Sequence, residues 1–413
     1  MLLRQQQSRA GINRYDGQNL KLVRKHRPDY MILILSLLML TAGLIVMYAI
    51  SPALAAQGGN VSDNYFVARQ FVAILLGVGI FFLVSRIQLD KWQQWSKVLL
   101  AIVLVASLVA VFDGGGKEGL RWIQFGFFSF QPVEFLKFVV IISLAGFLSK
   151  LQNEGKINDF KSLKPVLAIS AVVAIVVVIL QRDLGSAVVL ASIVGAMIFS
   201  AGFPMKKLLL LAAVALTLIV LAISSTPYRR DRFMTFMNPE RDCQNDGYHA
   251  CQALIAVGSG GLIGLGLGRS VQAYGYLPEA ENDSIFAIFA EKFGFLGVVL
   301  LLGILGALLL RLLNIMQRAP NSYAQLIVAG VFTWLAVQSF INIAAMVGLI
   351  PLKGITLPFI SYGGTSLVFA MAALGLVFNI SYYTSIREPI RAGKDPQDVL
   401  SRRKASSFGS RVV

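Results

Sequence analysis

Charged side chains are scarce in this chain, and what is missing narrows its chemistry before any motif is read. Only 14% of its 413 residues are Asp, Glu, Lys or Arg, against about a quarter in a soluble domain. There are two histidines, His26 and His249, and two cysteines, Cys243 and Cys251. No CxxC, HExxH or paired-histidine spacing occurs, which argues against a zinc site. His26 lies in a basic N-terminal tail, so a Ser-His-Asp triad is not expected either. Acidic residues number 21 against 37 basic ones, a formal net charge of +16.

What is plentiful is hydrophobic: 56% of the residues, gathered in long blocks rather than at amphipathic spacing. Blocks of about 20 apolar residues are what a hydrocarbon core demands of a helix, and helices satisfy their own backbone where water is absent. The expected fold is an all-α polytopic membrane protein of about ten transmembrane helices. The spans fall near 31–50, 67–85, 98–112, 132–149, 166–180, 187–203, 208–224, 284–310, 324–347 and 363–382. The first is too long for a signal-peptide core and reads as a retained span. Residues 1–30 and 383–413 read as basic cytoplasmic tails, and 31–382 as one membrane domain with a large outer loop over about 225–283.

Placing the charges explains the basic balance. The two tails and the segments after the second, fourth, sixth and eighth spans hold about two-thirds of the Lys and Arg, as the positive-inside bias requires of an N-in, C-in chain. Nucleic acid is therefore not needed as a partner. The opposite side is rich in Gly, Pro, aromatics and isolated charges, the content of functional loops.

Four features on that side could carry chemistry. In YGYLPEAENDSIFAIFAEKFG, Asp283 stands where a helix begins, fit to cap it or to act as a partly desolvated general base. Glu279 and Glu281 are expected in solvent, and Glu291 beside Lys292 in a buried or snorkelling pair. In FQPVEFLKF, Glu134 and Lys137 share a helix face and either pair with each other or line a polar cavity. In QRDLGSA, Asp183 sits at a tight link, where Asp commonly bonds the local backbone. A cationic set, Arg121, Arg229, Arg230, Arg232, Arg241, Arg269 and Lys353, fits an anionic ligand such as a pyrophosphate or anionic lipid headgroups. In an oxidising compartment Cys243 and Cys251 can close a disulfide, adding roughly 2.5 kcal/mol on the chain-entropy account.

Together the segments RWIQFGFFSFQPVEFLKF, QRDLGSA, TPYRRDRFMTFMNPERD, GLIGLGLGRSVQAYGYLPEAENDSIFAIFAEKFG and GLIPLKGITLPFISYGGTSL resemble the SEDS family (shape, elongation, division and sporulation) of bacteria. The likeness covers all ten spans, and its wording is nearer the division branch than the elongation branch. It implies a peptidoglycan glycosyltransferase that polymerises lipid II at the outer face of the cytoplasmic membrane. It makes Asp283 the essential acid, puts the charged pair Glu134 and Lys137 near the substrate cavity and matches the family's Q-P-D-L-G acid to Asp183; Arg121, Arg229, Arg232, Lys353 and Ser361 are expected to bind substrate in the same cavity. It also implies support by a divalent cation, Mg or Mn, with unknown ligands, and work beside a class B penicillin-binding protein and other division proteins in a lipid membrane. The chain departs from the family's pattern at three places. Arg182 replaces a Pro, so the backbone of that link is expected to differ. Glu281-Asn282 replaces His-Thr, which tends to raise the pKa of Asp283. The cysteine pair is not a family hallmark. A flippase or transporter for a lipid-linked precursor, or a division scaffold, are the alternatives from other classes.

Overall fold

The computed structural model describes residues 27–57, 62–113, 121–125, 128–157, 159–224, 236–237, 243–245, 247–352 and 354–383. They belong to one compact unit, Lys25–Thr384. Its elements are α1 (Tyr30–Gln57), α2 (Tyr65–Arg86), α3 (Leu89–Asp113), a short antiparallel hairpin of β1 (Ile123–Phe125) and β2 (Phe128–Phe130), α4 (Pro132–Asn153), α5 (Phe160–Ala174) with a π-helical end (Ile175–Leu180), α6 (Leu184–Ser200), α7 (Met205–Ser224), α8 (Tyr248–Ser259), α9 (Ile285–Gln317), α10 (Ser322–Met346) and α11 (Gly364–Ser381).

Every expected span meets a helix. Among the described residues eight helices are long and apolar enough to cross a membrane. The sixth and seventh expected spans coincide with α6, an apolar helix of 17 residues, and α7, of 20. Helices apolar all round bury themselves in protein or lipid, and the bundle sorts them accordingly. Most of α4, α10 and α11 is enclosed, whereas α2, α3 and α9 turn most of their surface outward, with Leu75, Leu83, Val98, Val105, Leu300 and Leu310 exposed.

Hydrogen bonds assign the two ends of the bundle. At one, Asp29 N–H donates to Ser381 Oγ at 3.0 Å, Arg311 stands 3.8 Å from the Asp29 carboxylate, and Asn379 donates its side-chain N–H to the Ser85 carbonyl. The start of α1 and the ends of α2 and α11 therefore share one end. At the other lie the start of α2, the hairpin, the α5–α6 link and the segments before α9 and α11, joined by Gln70 to Ser361 O (3.4 Å) and Thr365 to Ser129 O (3.3 Å).

The eighth span is not the uninterrupted helix that its composition implies. Gly294 leaves helical geometry at φ 63°, ψ −167°, dividing α9 into a short buried piece and a long outward one. Segment 261–266 covers the break: Leu265 and Gly266 N–H donate to the carbonyls of Glu291 and Lys292, and Phe295 and Leu296 N–H donate to Gly261 and Leu262. The approach is so close that a Cβ on Gly264 (φ 83°) would lie 2.1 Å from Lys292 O. Glu291 and Lys292 serve the same junction. Glu291 accepts from Ser270 Oγ (2.6 Å) and from Val271 and Gln272 N–H, and Lys292 Nζ donates to Leu267 O (3.0 Å). The expected ion pair between them is thus replaced by two separate attachments to the loop, because adjacent positions of a helix do not face each other. Replacing Gly264 by Ala, which adds a left-handed penalty to a backbone clash, is expected to destabilise the protein by roughly 2–4 kcal/mol. A detergent melting curve matching that of the parent would refute this reading of the junction.

Candidate active site

The loops at the second end enclose a cleft of about 890 Å³. Its wall is formed by Tyr65, Arg69 and Gln70 at the start of α2, by the β1–β2 hairpin, by the link Arg182–Gly185, by His249 of α8, by the turn carrying Glu279, Glu281, Asn282 and Asp283, and by segment 351–366. Four carboxylates, those of Asp183, Glu279, Glu281 and Asp283, thus share one cavity with Arg69, Arg121 and Arg182.

Asp283 is 9% exposed. It does not cap α9, as its position in the sequence allows; Ser284 holds that place and turns its hydroxyl back to Pro278 O at 2.8 Å. The Asp283 carbonyl accepts from Asn342 Nδ2 at 2.7 Å, and the same amide nitrogen donates to Ile355 O at 2.7 Å. One side chain of α10 therefore pins the acid-bearing turn to the segment before α11. The Asp283 carboxylate faces that segment, since a Cβ on Gly354 would come within 3.9 Å of Oδ2.

The two neighbouring acids differ. Glu279 is exposed, at φ 51°, and accepts from Asn282 Nδ2 at 2.6 Å. Glu281 is half-buried rather than solvated. Burial, and to a smaller extent the charge of Glu279, pushes its carboxyl above the usual range. Its carbonyl accepts from Tyr362 N–H at 2.8 Å, and burial pushes the Tyr362 phenol up as well.

Asp183 uses its carboxylate locally. It is buried and caps α6 by accepting from Ser186 N–H (2.9 Å) and Oγ (2.8 Å). Before it, Arg182 stands at φ 54°, a conformation closed to proline, so the backbone here does differ from one built on Pro. Arg121 clamps this link with bonds to Gln181 O (3.0 Å) and Arg182 O (2.8 Å).

Glu134 and Lys137 are buried and paired at 2.6 Å. Neither lines the cleft; they reach it through a chain of contacts. Lys137 Nζ donates to Gln338 Oε1 (2.8 Å), which also accepts from Trp334 Nε1 (2.7 Å), and Gln338 Nε2 donates to Thr356 O (3.0 Å). Thr356 and its hydroxyl partner Ser366 do line the cleft. Ser361 is buried outside it, its Oγ accepting from Leu357 N–H at 2.7 Å. Arg229, Arg230, Arg232, Arg241 and Lys353 lie outside the described residues. Cys243 and Cys251 are joined in a disulfide. Among the described residues no three of His, Cys, Asp and Glu converge as a metal cage.

Sequence reasoning missed Arg69, Gln338, Asn342 and the place of His249. Gln338 and Asn342 carried a readable signal: amides four apart inside an apolar helix, where polar groups are costly and so tend to be used. Arg69 and His249 carried none beyond being rare residue types in apolar surroundings.

This is a polytopic α-helical membrane protein with an acid-lined, cation-flanked cleft at one end of its bundle. Its relatives say which. Residues 29–386 match the FtsW/RodA/SpoVE family, described as cell cycle protein. Stage V sporulation protein E of Bacillus subtilis is 38% identical over 366 residues, 87% of this chain and 99% of that one. The probable peptidoglycan glycosyltransferase FtsW of Nitrosomonas europaea is 36% identical over 370 residues, 87% and 95% of the two chains. Two solved structures share the fold. One, from work on the structural coordination of polymerization and crosslinking by a peptidoglycan synthase complex, has a TM-score of 0.69 at 27% identity and covers 86% of this chain and 97% of its own. The rod shape determining protein RodA of Thermus thermophilus has a TM-score of 0.63 at 25% identity, covering 86% and 96%. The chain belongs to this family, the SEDS proteins.

Two outcomes are expected from the electrostatics. Lys137→Met leaves Glu134 buried without its cation and should cost about 3 kcal/mol or more, whereas Glu134→Gln/Lys137→Met recovers most of the loss; equal melting of the single and double variants would show that the pair is not the cause. Glu281 titrates above its unfolded value of 4.5, so its contribution is complete below that pH and is lost as pH rises through the folded value. Glu281→Gln should therefore melt higher than the parent at pH 7 and level with it at pH 4, and the reverse order would contradict the burial argument.

Proposed function

We propose that this chain is a peptidoglycan glycosyltransferase that polymerises lipid II during cell division, with Asp283 as its general base. The observation that carries the reading is a buried carboxylate on the wall of a cleft that also holds guanidinium groups, in a family whose named members include probable peptidoglycan glycosyltransferases. A sugar on a polyprenyl pyrophosphate needs a base for the acceptor hydroxyl, cations for the pyrophosphate and a lipid-facing approach. The cleft supplies the first two, and the outward apolar face of α2 adjoins it, with exposed Val72 on the cleft wall.

Asp283 takes the proton of the acceptor N-acetylglucosamine 4-hydroxyl. That oxygen bonds to C1 of the donor N-acetylmuramic acid as the bond from C1 to the pyrophosphate oxygen breaks. Attack from the face opposite the leaving group turns an α-linked donor into a β-linkage. Arg69, Arg121 and Arg182 bias the cleft toward the negative charge that develops on the leaving group. Among the described residues the donor set offers no cage for a divalent cation, so a Mg or Mn ion enters the proposal only as a companion of the substrate pyrophosphate, the usual arrangement for Mg; no step depends on it.

The basic tails and loops support an orientation with the opposite end of the bundle in the cytoplasm. The cleft then opens at the outer face of a bacterial cytoplasmic membrane, where the chain would work beside a class B penicillin-binding protein and other division proteins. The peptidoglycan synthase complex with the same fold supports such a partnership.

The test gives purified protein fluorescent lipid II and Mg, with and without the class B partner. The parent should build glycan ladders, and Asp283→Asn should lose at least about 100-fold in rate. Ladders of equal yield from both would move the base elsewhere, to Glu281 first. No ladders from either, with lipid II crossing liposome membranes, would replace the polymerase by a flippase.

A further inference from the structure

We propose that His249, braced by the Cys243–Cys251 disulfide, is a positioning residue for Asp283. The inference rests on the reading of Asp283 as the base, and it concerns a residue on a different element from the acid.

The first turn of α8 is closed twice. Cys251 N–H donates to Gly247 O at 2.9 Å and Tyr248 N–H to Asn245 O at 3.1 Å, while the disulfide ties Cys251 back to Cys243 with a Cα separation of 5.6 Å. The far end of α8 is fixed as well. Ala253 and Ala256 are fully buried, and Gly260 sits against the backbone of α9, where a Cβ would lie 2.1 Å from Ala290 O. A helix held at both ends presents His249 to the cleft.

His249 Nε2 lies 2.7 Å from Ser284 Oγ, which lies 2.8 Å from Pro278 O. A carbonyl only accepts, and a hydroxyl has a single proton. Ser284 therefore donates to Pro278, and His249 must donate to Ser284 through an Nε2–H. The bond exists in the neutral Nε2–H form and in the imidazolium alike, so it does not depend on ionising the ring.

Ser284 directly follows Asp283. The same turn is closed by the N–H groups of Asn282 and Ser284, both donating to Glu279 O at 3.1 Å. Asn342 of α10 holds the carbonyl of Asp283, and His249 of α8 holds the next side chain. Two helices thus clamp the acid from either side. General-base catalysis requires the carboxylate within hydrogen-bond reach of the acceptor hydroxyl, and a shift of about 1 Å in a reacting group can cost on the order of 100-fold.

The test uses the full-length oxidised protein in lipid nanodiscs with lipid II. Two readouts are taken: kcat and KM for polymerisation, and amide hydrogen exchange of the peptide covering 279–285. His249→Ala should lower kcat about tenfold, the kinetic equivalent of one hydrogen bond, with KM unchanged within about twofold, and should speed exchange of that peptide. His249→Gln, which keeps a side-chain N–H at similar reach, should restore both. Cys243→Ser/Cys251→Ser should speed the same exchange with His249 in place. Where His249→Ala does not yield folded protein, Ser284→Ala breaks the same chain and should give the same pair of effects. Parent-like exchange and kcat in the Ala variant, or a loss that Gln does not restore, would overturn the proposal. A parent protein that makes no glycan would sink the polymerase reading instead, while the exchange measurement would still decide whether His249 positions the turn.

Discussion

A carbonyl that leaves helical geometry inside a membrane bundle has no water to accept from, and the structure is organised around that constraint. Side chains donate to carbonyls where the chain is irregular or a helix ends, most of them from helices and Arg121 from the segment before the hairpin. Asn342 serves Asp283 and Ile355, Gln338 serves Thr356, Gln70 serves Ser361, Arg121 serves Gln181 and Arg182, and Asn379 serves Ser85. A buried amide N–H is expensive to leave unpaired, so each of these donations favours one arrangement of the backbone. The loops of the cleft are therefore not loose connections resting on a bundle. They are part of its hydrogen-bonded interior, and the acids they carry inherit that rigidity.

The broken helix α9 shows the constraint at its strongest. Its first piece is anchored by α8 and by segment 261–272, and Glu291 gathers three donors from that segment. The result is a short buried helix beginning just after Asp283, aimed at the cleft, on an axis that the long outward piece does not dictate. The buried start beside the cleft and the long outward run belong to different pieces of one apolar stretch.

Hydropathy made the spans legible because lipid demands about 20 apolar residues whatever else a helix does. Asp283, Glu281 and Asp183 were visible as rare charges beside such runs, and all three line the cleft. The break at Gly294 was not visible, since glycine within FAEKFGFLGVV leaves the mean hydropathy unchanged; only the covering segment, 30 residues earlier in the chain, makes it possible. Glu291 and Lys292 misled by adjacency, because neighbours in sequence diverge by about 100° around a helix. Glu134 and Lys137, three apart, were read correctly as sharing a face, but their link to the cleft depends on Gln338, some 200 residues away, a tertiary contact that periodicity cannot contain.

The same network bears on what kind of work the cleft can do. Transport of a headgroup needs polar, discontinuous helices near the membrane midplane and a route that opens to either side. Here the Glu134–Lys137 pair lies behind the cleft wall, enclosed by Trp334 and Gln338, and parting it would cost about 3–5 kcal/mol. The one helix break described, at Gly294, is filled by backbone from segment 261–266 rather than left to line a passage. Among the described residues, neither the buried pair nor the broken helix lines a passage leading out of the cleft. That geometry favours bringing two substrates together at one membrane face over carrying one substrate across.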